Sequence, residues 1–168
     1  MIDVKVNDAD LQEAALKGMD EFIQVFVDGI HNAIGGELTA ENMAELNAEQ
    51  VTLLAWDMLH EELMDGGFVQ LIHNGYGPFI FKNPFAKVLK LWGFRDLSKL
   101  IYDAHSLWIK YREELEKDCT DEEFMAMFES HPEFDDLDDE FVEHEEEWTS
   151  QIAEYIDNHI DQFAKIVK

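Results

Sequence analysis

Hydrophobic residues recur at helical spacing along almost the whole chain. Between Asp8 and Ile34 they follow one another at steps of three and four residues, which predicts one amphipathic helix that ends at Gly35 and Gly36. The apolar positions of this helix are Leu11, Ala15, Met19, Phe22, Phe26 and Ile30. Alternation typical of a strand is limited to the IDVKV segment near the start, and there are only three prolines. The pattern therefore predicts a chain that is helical almost throughout.

Capping and breaking residues divide the remainder of the chain. Asn47 with Gln50 and Thr120 with Glu123 have the spacing of capping boxes, so a helix is expected to begin at each. A further helical region is expected from Thr39. The predicted later helices cover residues 47–64, 68–74, 84–92, 95–117, 121–130 and 138–166. The predicted fold is all-α, a single compact multi-helix domain of about seven or eight helices over residues 1–168.

Acidic residues far outnumber basic ones. The chain has 38 Asp and Glu against 12 Lys and Arg, a formal net charge of −26, well beyond the ~2–8 typical of a soluble small domain. Residues 82–117 hold 8 basic and 5 acidic side chains, whereas residues 118–168 hold 2 basic and 18 acidic ones. Such a field repels nucleic acids and anionic membranes and attracts basic proteins. The composition therefore argues against direct nucleic-acid binding and favours a basic partner.

The single cysteine and the first residues bear on the compartment. Cys119 has no partner for an internal disulfide, which fits a reducing environment. Its position near a predicted helix start would lower a thiol pKa, but Asp118 and Asp121 oppose that effect. The first ten residues include acids and form no apolar segment, and no window approaches the ~18 apolar residues of a membrane span. We therefore expect a cytoplasmic protein that does not enter a membrane.

The densest acidic run, FDDLDDEFVEHEEEW, falls in the last predicted helix. Its carboxylates form two neighbouring rows, while Phe141 and Trp148 mark the side that packs into the core. Carboxylates one turn apart lie ~5–6 Å from each other, and DNA carries one phosphate per ~3.4 Å of each strand. A rigid double row of carboxylates can therefore occupy a surface built for phosphates. The predicted partner-binding residues are Asp135, Asp136, Asp138, Asp139, Glu140, Glu143, Glu146 and Glu147.

A glycine-rich stretch, EELMDGGFVQLIHNGYG, covers residues 61–77. Glycine-rich turns before helices often cradle phosphate, but this stretch contains neither GxGxxG nor GxxxxGK[ST], and acids precede it. We therefore expect Gly66 or Gly67 to adopt the left-handed conformation that ends one helix and starts another. Gln70 and Asn74 are expected to hydrogen-bond to neighbouring helix ends.

The same stretch matches the pattern E-x-x-x-GGF-x-Q-x-x-x-N-x-x-G and resembles the DNA mimic protein 19 family of bacteria, also grouped as a domain of unknown function. The later FDDLDDEF resembles that family's acidic LDD-x-F segment, and the likeness covers roughly residues 55–163. It implies an all-α, cytoplasmic protein. For a characterised member it also implies a dimer that presents acidic side chains to a DNA-binding transcription regulator in place of operator DNA. The motif residues are Glu62, Gly66, Gly67, Phe68, Gln70, Asn74 and Gly77.

Metal and catalytic motifs are incomplete. HEELM begins like a zincin motif, but Met64 stands where the second histidine is needed. An EF-hand count from Asp136 places Phe141 where the turn requires glycine. His144 and His159 lie beside the apolar stripe of the last helix and are interpreted as packing residues. We therefore predict no metal, no cofactor and no catalytic residue.

The leading hypothesis is a non-enzymatic acidic binding protein, a DNA mimic that captures a basic DNA-binding protein such as a transcription regulator. The alternative is a dimerisation or assembly module that uses an exposed aromatic patch around Tyr76, Phe79 and Phe81, in a segment expected to be a loop. High salt weakens acidic capture but leaves apolar association intact, so a salt titration separates the two. A homodimer is compatible with both.

Overall fold

The computed structural model describes residues 2–168 and confirms the all-α prediction. Helical residues make up 78% of it. The described chain has eleven α-helices, more than the seven or eight predicted, and eight of them have seven residues or more. The α-helices are α1 (Asp8–Lys17), α2 (Met19–Ile34), α3 (Ala40–Met43), α4 (Ala48–Asp65), α5 (Gly67–His73), α6 (Gly77–Lys82), α7 (Phe85–Leu91), α8 (Arg95–Leu115), α9 (Asp121–Ser130), α10 (Asp135–Asn158) and α11 (Ile160–Phe163). The remaining elements are a 3-10 helix, Pro132–Phe134, and two strands, β1 (Lys5–Asn7) and β2 (Lys165–Val167).

The chain divides into two compact units. Unit 1 comprises Met1–Leu54 and Glu146–Lys168, and unit 2 comprises Ala55–Glu145. Helices α4 and α10 contribute residues to both units. The single domain over residues 1–168 stays a prediction.

The first predicted helix is interrupted at Gly18. This residue has φ 155° and ψ 178°, outside the helical region, and it separates α1 from α2. Its N–H still donates to the Ala14 carbonyl and its carbonyl still accepts from the Phe22 N–H, so both helix ends stay bonded. The apolar spacing continues unbroken across Gly18, which is why periodicity alone predicted one helix.

Two short strands pair in parallel, although the sequence assigned the second to a helix. Lys5 lies opposite Lys165 and Asn7 opposite Val167, and the Lys165 N–H donates to the Val4 carbonyl at 2.8 Å. Val4 and Val6 are buried, so β1 has a buried face within unit 1. The prediction that the last helix continues to Ile166 is therefore wrong at its end, since α10 stops at Asn158.

In unit 1, the start of α4 is held by the predicted capping box. Asn47 and Gln50 exchange backbone-to-side-chain bonds of 2.8 and 3.0 Å. The same side chains also donate from their amides to the Gln162 and Phe163 carbonyls, at 2.8 and 2.9 Å. The cap therefore also ties α4 to α11, where the fully buried ring of Phe163 lies 6.4 Å from that of Phe26.

In unit 2, the predicted stripe of α8 forms the core. Its residues Leu97, Leu100, Ile101, Ala104 and Trp108 are all buried. On other elements, the buried Phe68 and Phe134 rings lie 6.4 Å apart. The second capping box is also present, because the Glu123 N–H donates to Thr120 Oγ1 at 3.2 Å at the start of α9.

The signature residues of the glycine-rich stretch form one hydrogen-bonded turn between α4 and α5. Gln70 Nε2 donates to the carboxylates of Glu62 and Asp65, each at 2.9 Å. Asn74 Nδ2 also donates to Glu62, at 3.1 Å. The expected bonds to a helix end are therefore present, but they go to side chains of α4. A Cβ at Gly66 would collide with the Gln70 side chain, so glycine lets that side chain fold back.

Gly67 and Gly77 are needed for different reasons. Gly67 has φ +75°, the left-handed conformation that the sequence predicted at this turn, and it starts α5. Gly77 packs against α8, because a Cβ there would overlap the indole of Trp108. Gly67 therefore provides a backbone conformation that other residues rarely adopt, and Gly77 allows a close approach that a side chain would prevent.

Candidate acidic binding surface

Helix α10 is anchored through one face. Phe141 and Ile152 are fully buried and Trp148 is 4% exposed. The helix starts at Asp135 directly after Pro132–Phe134, and its first turn is acidic, which suits the partial positive charge of a helix N-terminus. Since burial of large apolar side chains fixes its inner face, the carboxylates of the opposite face are held on a rigid support.

Seven of the eight predicted partner-binding residues are exposed. At ~100° per residue they fall within an arc of roughly 140° on α10, opposite the buried stripe, and span about 18 Å of helix axis. These residues, called the acidic row below, are Asp135, Asp136, Asp139, Glu140, Glu143, Glu146 and Glu147. The structure therefore places them on one side of a single helix.

The basic residues of the central segment do not neutralise the acidic row. Lys99 pairs with Asp103 at 2.8 Å within α8, and Arg112 pairs at 3.0 Å with Glu116, the residue that follows α8. Within residues 2–168, no Lys or Arg side chain lies within salt-bridge distance of the acidic row. The hydrogen bond to Asp103 is the main cause that raises the pKa of Lys99, and the charge of Glu140 adds to the rise from beyond pairing distance. Lys99 thus weakens the field of the acidic row but forms no ion pair with it.

Asp138, the eighth predicted residue, points into unit 2 instead. It is half-buried, and its Oδ1 accepts a hydrogen bond of 2.9 Å from the Phe68 N–H at the start of α5. A Cβ at Gly67 would collide with this carboxylate, so the glycine motif makes room for it. Burial is the main cause that raises the pKa of Asp138 to about 7; the hydrogen bond from the Phe68 N–H opposes the rise, and the charges of Asp135 and Asp139 add to it. Asp138 therefore links the acidic segment to the glycine-rich turn.

Glu145 was not predicted, although it belongs to the same run. Its Oε1 lies 2.6 Å from His60 Nε2, and the His60 ring lies 5.5 Å from Trp56 and 6.3 Å from Phe141. Helical spacing was the signal for both inward acids, because Asp138 and Glu145 lie three before and four after Phe141.

The remaining candidate groups have structural partners. His144 Nδ1 lies 2.9 Å from the Glu140 carbonyl, and His159 Nδ1 lies 2.8 Å from that of Tyr155, whose ring it stacks on at 4.1 Å. These contacts agree with packing roles. Burial, followed by the charges of nearby acids, raises the pKa of the Cys119 thiol, the direction that its acidic neighbours predicted.

The aromatic segment of the alternative hypothesis is a helix, α6, and not a loop. Phe81 is 6% exposed, and its ring lies 5.3 Å from Trp108 and 5.4 Å from His105. Tyr76 and Phe79 are half-buried. The expected exposed patch is therefore wrong for Phe81, because packing against α8 covers it. Among residues 2–168, no helix is both long and apolar enough to span a bilayer.

Comparison with known proteins gives two matches. The family model described as DMP19-like protein matches residues 44–159. A protein named DNA mimic protein DMP19, from Neisseria meningitidis serogroup B, is 31% identical over 137 residues, which cover 81% of each chain. The family match includes the glycine-rich turn and all of α10, and the Neisseria match covers the greater part of the chain.

Proposed function

The chain belongs to the family of DMP19-like proteins, and we propose that it is an acidic binding protein that imitates DNA. Its target is a basic DNA-binding protein such as a transcription regulator. The observation that carries this proposal is the acidic row, seven exposed carboxylates on one side of α10, none of which forms an ion pair with a Lys or Arg among residues 2–168. The name of the Neisseria relative supports the same role.

The geometry suits a surface that recognises phosphates. Carboxylates one helical turn apart are ~5–6 Å from each other, and Arg and Lys side chains bind carboxylates and phosphates with similar geometry. Because α10 is anchored by Phe141, Trp148 and Ile152, the row is ordered before binding. Such preorganisation lowers the entropy lost on association.

The charge of the whole chain adds long-range attraction. With a formal net charge of −26, the protein steers basic partners toward itself and repels DNA. Binding therefore depends strongly on salt, because exposed charges are screened within ~8 Å at physiological ionic strength. Recognition by charge involves no covalent step, and we assign the protein no catalytic residue.

The test compares two charge-reversed variants of the full chain. Asp139→Lys, Glu143→Lys and Glu147→Lys together alter the acidic row, whereas Glu37→Lys, Glu41→Lys and Glu45→Lys change the net charge equally at exposed positions elsewhere. Each protein is immobilised and exposed to host lysate at low and high salt, and captured proteins are identified. Captured regulators are then challenged with their own operator DNA.

We expect capture of a DNA-binding protein at low salt, release at high salt, and competition with operator DNA. The α10 variant should bind about tenfold or more weakly than the second variant. Equally weakened capture by both variants would mean that only the net charge matters. Unchanged capture by the α10 variant would refute the acidic row as the binding site.

A further inference from the structure

Unit 1 contains a groove whose lining includes no residue of the acidic row. It has a volume of about 410 Å³ and lies where the start of α2 faces the C-terminal half of α10. Its apolar lining includes Met19, Phe22 and Ala153, and its acidic lining consists of Glu154 and Asp157. This volume falls in the range of ~300–1,000 Å³ that holds ligands or several large side chains.

The groove exists because small residues meet at this place. Ser150 and Ala153 of α10 and Gly18, at the break between α1 and α2, all line it. Apolar side chains nonetheless remain uncovered there. Met19 is 53% exposed, and Leu16, in the last turn of α1, is 90% exposed. Large apolar side chains in water beside an open groove are typical of a docking surface.

The acidic residues that line the groove indicate which kind of partner can bind there. Glu154 and Asp157 are exposed and lie one turn apart on α10, and within residues 2–168 neither is within salt-bridge distance of a Lys or Arg. An anionic membrane would be repelled by the net charge of −26, and an acidic segment would be repelled by Glu154 and Asp157. Apolar depth together with acids one turn apart fits a basic amphipathic helix, whose apolar and cationic side chains recur at the same spacing.

We propose that this groove receives a basic amphipathic helix of the captured protein. An apolar side chain enters beside Met19 and Phe22, and Lys or Arg side chains one turn away pair with Glu154 and Asp157. The identity of the helix as part of a captured DNA-binding protein rests on the proposed function, whereas the groove and its chemistry do not.

The first experiment uses a peptide of about five helical turns, with Leu on one face and Lys on the other. Two control peptides replace every Leu by Ser, or every Lys by Glu. Binding to the full chain is followed by NMR of methyl-labelled methionines, of which the protein has seven. Met125 in unit 2 is 64% exposed and serves as an internal control.

We expect the Leu–Lys peptide to shift the Met19 signal and leave that of Met125 in place, and neither control peptide to do so. Equal shifts at Met19 and Met125 would show only diffuse attraction and would overturn the proposal. An unmoved Met19 signal would overturn it as well.

The second experiment blocks the groove. Ser150 is exposed and lines the groove, so Ser150→Trp should fill it and weaken peptide binding about tenfold. The matched control is Ser106→Trp, at an exposed position of α8, which should bind as the natural chain does. If Ser150→Trp disturbs folding, Met19→Ser replaces it, since that residue is half in solvent. Unchanged affinity in the folded groove variant would refute the inference.

Capture from lysate separates this inference from the proposed function. If a DNA-binding protein is captured equally by the natural chain and by Ser150→Trp, the acidic row suffices and the groove proposal fails. If no DNA-binding protein is captured but the Leu–Lys peptide binds beside Met19 and is lost in Ser150→Trp, the groove stands and the proposed function fails.

Discussion

The two longest helices, α8 with 21 residues and α10 with 24, bury comparable apolar stripes. Leu100 of α8 and both Phe141 and Ile152 of α10 are fully buried, and Trp108 is 2% exposed. Each helix thus contributes large side chains to a core. On their inner faces the two helices follow the same rule.

Their outer faces differ. On α8, basic and acidic residues are mixed, and Lys99 and Arg112 pair with acids one turn later, Asp103 and Glu116. On α10, residues 135–158 contain no Lys or Arg at all. Because a helix is held by its inner face, its outer face is free to be neutral or strongly charged. Core packing by the inner face and the charge of the outer face are therefore separate properties of one helix.

Removing a buried ring should have the largest effect and should be similar in both helices. Trp108→Ala and Phe141→Ala should each lower the free energy of unfolding by about 3–5 kcal/mol, because each leaves a cavity. Tyr102→Ala, at a position 49% exposed, is the control and should cost less than about 1 kcal/mol. Urea unfolding measures all three, and a small loss at Phe141 alone would break the equivalence of the inner faces.

Asp138 is an exception on α10, because it is an acid on the inner face. A substitution at Gly67, which makes room for the Asp138 carboxylate, tests this contact. Gly67→Ala combines a left-handed φ of +75° with a collision against Asp138, so we expect a loss of about 2 kcal/mol or more. Gly75→Ala has φ +89° but open space around the new methyl group, so about 1 kcal/mol is expected. Thermal unfolding measures the difference in stability between the two variants, which reports the contact with Asp138. Equal losses would show that this contact contributes nothing.

Asp138 should also make stability depend on pH. Its pKa of about 7 exceeds the ordinary value of 3.8, so the folded protein holds this proton to higher pH than the unfolded chain does. The stabilisation is therefore complete below about pH 4 and is lost as pH rises through about 7.

Asp138→Asn keeps an oxygen that can accept from the Phe68 N–H, but it removes the charge. Relative to the natural chain it should gain roughly 1–2 kcal/mol at pH 8, discounted for partial exposure, and little at pH 4. Asp139→Asn, on the exposed side, is the control. Melting temperatures across this pH range test the difference, and parallel curves for the natural chain and Asp138→Asn would contradict it.

The smallest change in stability is expected when a basic residue is introduced among the acids of α10, so that its outer face carries mixed charges as α8 does. Glu143→Lys places a cation one turn from both Asp139 and Glu147, so stability should rise by about 0.3–1 kcal/mol. Capture of a basic partner should nevertheless weaken, since the new charge interrupts the acidic row. Lys99→Glu, which breaks the exposed pair with Asp103, should leave stability nearly unchanged, because exposed ion pairs contribute little. Weaker capture without lower stability would separate charge display from folding, whereas unchanged capture would not.

Much of the fold could be predicted from the sequence, because many helix ends are set by residues close to one another along the chain. Asn47 and Thr120 cap helices with partners three residues away, and Gly67 starts α5 in the left-handed conformation. These bonds lie within one turn, so sequence spacing is enough to identify them. The exposure of the acidic row was predictable for the same reason, since helical periodicity separates it from Phe141 and Trp148. Its role in binding stays a prediction.

Other features needed contacts between distant residues. The parallel pairing of β1 with β2 joins Lys5 to Lys165, and no local pattern records such a partner. The inward turn of Asp138 depends on the Phe68 N–H and on the space left by Gly67. The covering of Phe81 depends on Trp108 of α8.

By itself, the sequence determined most of the helices, most of their inner stripes and a surplus of negative charge, because these follow from periodicity, capping and composition. Only the tertiary structure decided which acids form no ion pair and that Asp138 turns inward to the start of α5. It also decided that a groove opens beside Met19. These outcomes depend on where separate elements meet, and a side chain's surroundings, more than its spacing along the chain, set its charge, its exposure and its partners.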